Sequence, residues 1–311
     1  MTENLYNIYS TWLKQRYGEK VYKIPVNIPV TCPNRDGTIA TGGCVYCGAK
    51  GGGNETLSDQ LSVSEQLERN IAYIGKRYHA KKFIPYFQSF SNTYCEISDF
   101  QKWILEAIRP DVVEIAVSTR PDCITDEQLQ FLAMVKKEQA IEVTIELGLQ
   151  SVNEKTLQII NRGHTLADYE QAMERIKAAG LSTCTHMILD LPWDQEADVI
   201  NGAEIVSRKG SDFVKCHSLY IEKNTVLKQW YDEKKVTLLT KEDYITRAIL
   251  FLEHLDPEIV VQRLIGRVPK EDSVITNWHT SWWKIKEELE AQMKQENNYQ
   301  GRKFSGMNNK R

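Results

Sequence analysis

Nothing in the chain approaches the run of about 18 apolar residues that a membrane-spanning helix needs. The densest apolar stretch, residues 248–252, stops at Glu253. Charge of one sign is also not in excess, because 39 Lys and Arg stand against 42 Asp and Glu, a formal net charge of −3. This excludes a uniformly basic nucleic-acid coat and leaves local basic patches open. A disulfide framework is not indicated, since the seven cysteines are an odd number spread over 311 residues. Internal repeats and low-complexity tracts are missing, and 41% hydrophobic with 26% charged residues excludes disorder as the main state. Glu3 and Asn4 stand where a secretory signal needs a basic head and an apolar body. The expectation is a cytoplasmic protein with no membrane partner.

What is present is a regular alternation. Short β-branched runs at residues 21–27, 83–88, 112–119, 141–150, 182–191 and 212–221 are separated by amphipathic stretches at 64–78, 99–108, 126–138, 166–179 and 196–209. In the fourth of these, Leu166, Tyr169, Met173 and Ile176 share one helical face. Strands alternating with helices make parallel strands with crossover helices. Several runs, such as residues 115–117 and 187–189, are apolar on both faces, as a helix-covered sheet requires. Six such units fall short of the eight in a full barrel of about 250 residues. The expected fold is therefore α/β, a partial parallel (βα)6 TIM-like barrel. After residue 222 the rhythm changes to helical stretches at 226–235 and 241–255, a strand at 259–264 and a helix carrying Trp278, Trp282 and Trp283. The expected division is a core with an N-terminal helix over residues 1–222 and a C-terminal α/β extension with a basic tail over 223–311.

The chemistry gathers after the first strand. Cys44 and Cys47 lie two residues apart, so both sulfurs reach one metal centre, and Gly42 and Gly43 let the backbone fold closely around it. Cys32 sits across a turn-rich loop and must double back to join them. A structural zinc site wants four ligands, and a thioredoxin-like pair does not need Cys32. An iron–sulfur cluster on three cysteines leaves one iron open to a substrate. Cys95, Cys123, Cys184 and Cys216 lack ligand spacing and read as small buried hydrophobes.

This loop resembles the radical S-adenosylmethionine (SAM) superfamily, whose cluster cysteines follow the first barrel strand and whose last cysteine follows an aromatic residue, Tyr46 here. The long first gap is that of the subgroup related to the catalytic subunit of elongator and to the YhcC-like proteins. Further matches are Thr119 to Asp122 and Glu146 to Ser151 at strand ends, Asn161 to Thr165 one short helix later, and Leu191 with Pro192. All lie at or just past the C-terminal ends of strands, the face on which parallel barrels carry their chemistry.

The resemblance implies a [4Fe–4S] cluster on Cys32, Cys44 and Cys47, with SAM on the fourth iron. It implies Gln150 on the ribose hydroxyls, Arg162 on the methionine carboxylate and His186 near the adenosine. Gln88 and Ser89 occupy the place where relatives cradle the methionine amino group, although the glycines usual there are absent. Arg120 and Glu146 are also placed among the cofactor-binding residues, and Arg120 is the expected partner of Glu146, a carboxylate too costly to leave alone on an apolar strand, in a pair that is either functional or structural. Lys215 and His217 alternate to one face and are candidates for the cavity wall. No residue is assigned as catalytic.

Basic residues at Lys76, Arg77, Lys81, Lys82, Arg263 and Arg267, and in the tail at Arg302, Lys303, Lys310 and Arg311, stand with aromatic residues such as Tyr299 and Phe304. Stacking faces beside cations are the means of single-stranded RNA recognition. Elongator-like relatives act on the wobble uridine of transfer RNA (tRNA). The implied activity is conversion of a carboxymethylaminomethyl group at uridine C5 to aminomethyl, with tRNA and an electron donor such as flavodoxin or ferredoxin as partners. The alternatives are a radical SAM enzyme acting on a small molecule such as a porphyrin precursor, and a non-catalytic iron–sulfur or RNA-binding protein.

Overall fold

A computed structural model describes residues 5–52, 56–267 and 273–306. In chain order the strands are β1 (Val21–Val26), β2 (Lys82–Phe87), β3 (Glu114–Thr119), β4 (Glu142–Gln150), β5 (Ser182–Ile188) and β6 (Phe213–His217). They are followed by β7 (Ile221–Glu222), β8 (Val260–Arg263) and β9 (Ser273–Ile275). The main sheet has the order β1-β2-β3-β4-β5-β6-β8, and β7 with β9 forms a small separate ribbon. Every pairing in the main sheet is parallel. This is a curled half-barrel.

The helices are α1 (Tyr9–Tyr17), α2 (Val63–Tyr78), α3 (Ile97–Glu106), α4 (Asp126–Gln139), α5 (Glu154–Ile159) and α6 (Leu166–Ala178), then α7 (Glu196–Arg208), α8 (Val226–Asp232), α9 (Lys241–His254) and α10 (Trp282–Gln295). Their starts are written locally. Ser62 with Glu65, Thr125 with Gln128, Thr165 with Asp168 and Thr240 with Asp243 form reciprocal capping boxes, and a cap of this kind contributes about 1 kcal/mol. Leu67, Phe100, Leu132, Met173, Val206 and Phe251 fill the core between these helices and the outer face of the sheet.

The six strands expected before residue 222 are present, and a seventh joins them. Residues 260–263, expected in the extension, lie parallel to β6. The physical reason is α9, which buries Ala248, Phe251 and Leu252 and provides the crossover that parallel neighbours require. No helix among the described residues is long and apolar enough to cross a membrane.

Inside the half-barrel the N-terminal end is plugged by α1. Trp12 packs edge-on to Phe213 with ring centroids 4.9 Å apart, and Leu13 lies against Val21, Ile84 and Tyr86. Above this plug comes an ionic layer. Glu146, fully buried on β4, accepts hydrogen bonds from Lys23 of β1, from Lys215 of β6 and, at 2.7 Å, from His186 Nε2 of β5. Lys23 Nζ also donates to Gln262 Oε1 of β8 at 2.9 Å, so the two edge strands are tied across the interior. Burial by itself would raise the Glu146 carboxyl, but Lys215, Lys23 and the His186 hydrogen bond outweigh it and hold it well below the ordinary carboxylate range.

Replacing Glu146 with Ala leaves the buried Lys215 and the half-buried Lys23 ammonium groups without their shared anion, a loss of about 3–5 kcal/mol to be read from urea midpoints. Because the folded-state pKa of this carboxyl is depressed, its contribution is present above the unfolded value of about 4.3 and lost as pH falls below it. Urea midpoints of the native chain should therefore fall below about pH 4.3 more steeply than those of Glu146→Gln.

Candidate functional site

The loop between β1 and α2 closes over the C-terminal ends of the strands and is pinned to the chain around residue 161. Val45 N donates to Ile160 O at 3.0 Å, and Asn161 Nδ2 donates to Gly43 O at 2.9 Å. Asn34 Nδ2 donates to Arg162 O at 3.1 Å and to Asn161 O. The approach is so close that a Cβ on Gly163, whose φ is +74°, would stand 2.3 Å from Asn34 Oδ1. Only glycine fits there.

The three cysteines line one cavity of about 290 Å³ inside the strand ends, and positive groups face their sulfurs. Arg162 Nη1 lies 3.6 Å from Cys44 Sγ, Asn34 Nδ2 lies 3.7 Å from the same sulfur, and Arg35 Nη2 lies 3.6 Å from Cys47 Sγ. Burial and the neighbouring Cys44 push the Cys47 thiol up to about 11, while Arg35 pulls it down. Thiolates in such a place need a metal centre or cations to hold their charge. Among the described residues, the trio of potential ligand atoms all within 4.8 Å of one another is Glu146, Cys184 and His186. The three thiols of the cysteine loop line one cavity, and no fourth cysteine stands among its described lining residues, a donor set that fits an iron–sulfur cluster with one iron left open. The Glu146 trio holds no metal on electrostatic grounds, because two lysines already occupy its carboxylate.

The other expected residues are largely gathered here. Tyr46, Gln88, Arg120, Gln150, Arg162 and His186 line the same cavity. Gln150 follows a register shift in β4 and has φ +76°, a strained value for a non-glycine residue. The carbonyl of Gly148, two residues before it, accepts from Arg162 Nη2 at 2.7 Å, and a Cβ there would meet that guanidinium at 2.6 Å. His186 is neutral, pushed down to about 4 by burial and Lys215, so its Nε2 carries the proton donated to Glu146. Lys215 and His217 also line the cavity.

Some expectations fail. Arg120 is not the partner of Glu146. Its guanidinium forks onto Asp122, at 2.9 and 2.7 Å, and donates to Arg162 O at 2.6 Å, because Arg120 lies two residues beyond Ser118, the register partner of Glu146. Glu146 lies beneath the cavity rather than on its wall, and Ser89 is buried behind the wall. In the tail, Arg302 and Lys303 both grip Glu253, at 2.5 and 2.6 Å, and so dock the tail onto α9. Lys310 and Arg311 fall outside the described residues.

Reading the sequence alone missed Arg35, Asn34, Lys23, Tyr86 and Ser91. Arg35 and Asn34 carried a signal, as polar residues inside the cysteine loop. Ser91 lines the cavity, and its buried Oγ has no hydrogen-bond partner among the described residues, which leaves it open to a ligand.

Comparison with known proteins gives the family of the chain. The radical SAM superfamily profile matches residues 27–204, and the radical SAM C-terminal domain profile matches residues 211–295. Protein YhcC of Escherichia coli K12 is 32% identical over 282 residues, 90% of each chain. Protein YtqA of Bacillus subtilis is 30% identical over 304 residues, 97% of this chain and 94% of that one. The structure of Methanocaldococcus infernus Elp3 superposes with a TM-score of 0.68 at 16% identity, over 90% of this chain and 64% of that one, a likeness of fold. A more distant match, at 24% identity over 172 residues (54% of this chain, 36% of the other), is a tRNA uridine(34) acetyltransferase of Dehalococcoides mccartyi. Three thiols under cationic donors at the open end of a parallel half-barrel, and full-length relatives at 30% identity or more, place this chain in the radical SAM superfamily, whose enzymes work with a [4Fe–4S] cluster and SAM.

Proposed function

We propose that this radical SAM enzyme acts on tRNA, converting a carboxymethylaminomethyl group at C5 of the wobble uridine to aminomethyl. The observation that carries the reading is the mouth of the cavity. Arg267 lines it and lies over the ring of Trp282, 4.5 Å from guanidinium carbon to centroid. Next to it, Trp283 is 47% exposed, with Lys284 Nζ 5.5 Å from its ring. Exposed indole faces beside cations take up unstacked bases and their phosphates. The anticodon is already single-stranded, so bringing one base to the mouth costs at most a few kcal/mol. The distant tRNA uridine(34) acetyltransferase supports the same nucleoside.

Within the site, Cys32, Cys44 and Cys47 hold the cluster, and Arg35 directs N–H groups at the Cys47 sulfur while Asn34 and Arg162 direct theirs at that of Cys44. Arg162 uses three of its five N–H donors on Gly148 O, His164 and Cys44. Its remaining two serve the methionine carboxylate, a match for a planar guanidinium. Gln150 holds the ribose, His186 faces the adenosine, and Gln88, Ser91 and Tyr46 complete the cradle. When bound, the cluster and SAM, primed with one electron by a flavodoxin or ferredoxin, would supply a 5′-deoxyadenosyl radical that takes a hydrogen atom from the carboxymethyl carbon of the uridine side chain, and loss of one electron from that side chain, which returns the priming electron, leaves an imine that water hydrolyses. In net terms SAM, water and the carboxymethylaminomethyl nucleoside yield methionine, 5′-deoxyadenosine, glyoxylate, a proton and the aminomethyl nucleoside.

Anaerobically reconstituted Cys44→Ala should lack the brown chromophore and form no 5′-deoxyadenosine. Cys184→Ala should keep both and lose only packing, about 1–3 kcal/mol. Full 5′-deoxyadenosine formation by Cys44→Ala would reject the cluster assignment. Nucleoside profiles of tRNA from cells lacking the gene should show carboxymethylaminomethyluridine accumulating where aminomethyluridine derivatives stood; an unchanged profile rejects the substrate.

A further inference from the structure

Between α5 and α6 the backbone turns left-handed twice, at Asn161 with φ +52° and at Gly163 with φ +74°. The turns bring Arg162 and His164 to one carbonyl, that of Gly148 on β4, and both side chains are buried. Arg162 lines the cavity, whereas His164 stands behind the lining.

The neighbours of His164 assign its ring nitrogens. Arg162 Nε donates to His164 Nε2 at 2.9 Å, and a guanidinium does not give up that proton. Nε2 therefore carries a lone pair, although Gly148 O also lies 3.1 Å from it. The ring proton sits on Nδ1 and is donated to Thr165 O at 3.2 Å. Burial and the Arg162 charge push the imidazole down to about 3, so the neutral form holds through the neutral range.

A guanidinium plane is fixed only by acceptors in two directions. Gly148 O takes Nη2 at 2.7 Å and shares Nε at 3.2 Å. That one oxygen leaves the plane free to pivot about it. His164 Nε2 is the second point, and the other side of its ring is tied to Thr165, which caps α6 in a reciprocal box with Asp168. The start of a helix is thus connected through one imidazole to the tilt of Arg162. The tilt decides where Nη1 points, and Nη1 lies 3.6 Å from Cys44 Sγ.

We infer that His164 is a positioning residue, the acceptor that locks the Arg162 guanidinium in the plane facing Cys44 and the methionine carboxylate of SAM. For the carboxylate the inference rests on the role proposed for Arg162; for Cys44 it rests on the geometry alone. Partners that orient a ligand-contacting group carry effects of about 10–100-fold on affinity.

Two substitutions divide the ring. Asn reaches the place of Nδ1 and keeps a donor for Thr165 O, but it offers no acceptor where Nε2 stands. Gln carries an amide oxygen to the place of Nε2 and keeps the bond from Arg162. On holoenzyme reconstituted to equal iron content, His164→Asn should weaken the Kd for SAM about tenfold or more. It should also lower the reduction potential of the cluster, because a positive N–H group no longer faces Cys44. His164→Gln should stay within about threefold of the native Kd and keep the native potential. A merely structural role costs both variants alike, and equal loss in the two overturns the inference. So does a His164→Asn enzyme with native Kd and potential. If His164→Asn does not fold, His164→Gln alone decides, native values upholding the acceptor and lost ones overturning it. Arg162→Lys, which keeps the charge without the fork, is the control. If it binds SAM as the native enzyme does, the carboxylate role of Arg162 fails, and the potential of His164→Asn then decides the positioning at Cys44. None of these measurements uses RNA, so rejection of the wobble-uridine substrate leaves them intact.

Discussion

Glu146 stands at the centre of an open barrel that has no eighth strand to close it. A curled sheet of seven strands leaves an interior that side chains from one wall do not fill, with a cavity of about 290 Å³ at the strand ends. The chain meets this with one carboxylate that collects Lys23 from the first strand, His186 from the fifth and Lys215 from the sixth. Lys23 adds Gln262 on the last strand, so the open edges are linked through a polar layer rather than by ladder hydrogen bonds. The layer also divides the interior. Below it, α1 seals the barrel with Trp12 and Leu13 against Phe213 and Ile84. Above it lies the cavity, with a floor whose charge and protonation are fixed by the layer itself.

The cysteine loop depends on the same frame from the other side. Its three thiols belong to a segment with little secondary structure of its own, and their positions are inherited from contacts with the chain between α5 and α6. Asn34, Asn161 and Arg162 interlock across that seam, and Gly163 and Gly148 are the points where a side chain would push the two apart. Arg162 therefore has two roles that cannot be separated: it braces the end of β4 through Gly148 and it directs charge at Cys44. The strained backbone at Gln150 is set by the same bracing, since the register shift that aims its side chain into the cavity sits beside Gly148.

Cations are placed at three depths: around the thiols, on the inner wall and at the rim. Those at the thiols balance sulfur. On the wall Lys215 is paired with Glu146, and at the rim Arg267 lies over the Trp282 ring. Arg302 and Lys303, although equally basic in sequence, do not share in this, because both charges are spent on Glu253. Basic composition alone did not distinguish a docking contact within the chain from a surface for a partner.

By itself the sequence determined what is local. Alternating apolar runs, Ser or Thr capping boxes at four helix starts, a glycine after α6, and the three cysteines with Tyr46 are all encoded within a few residues of one another. Capping, helical periodicity and short ligand spacing act over one or two turns of chain, so the parallel architecture and the cysteine loop were legible at once. Tertiary structure alone decided what is distant. That residues 260–263 join the barrel sheet, that Glu146 pairs with Lys23 and Lys215 rather than with Arg120, and that Arg35 faces Cys47 are matters of strand order and curl. Glu146 lies 123 residues from Lys23 and 69 from Lys215. No local rule links a buried charge to a partner so far along the chain, because the choice is made by which strands the curl brings face to face.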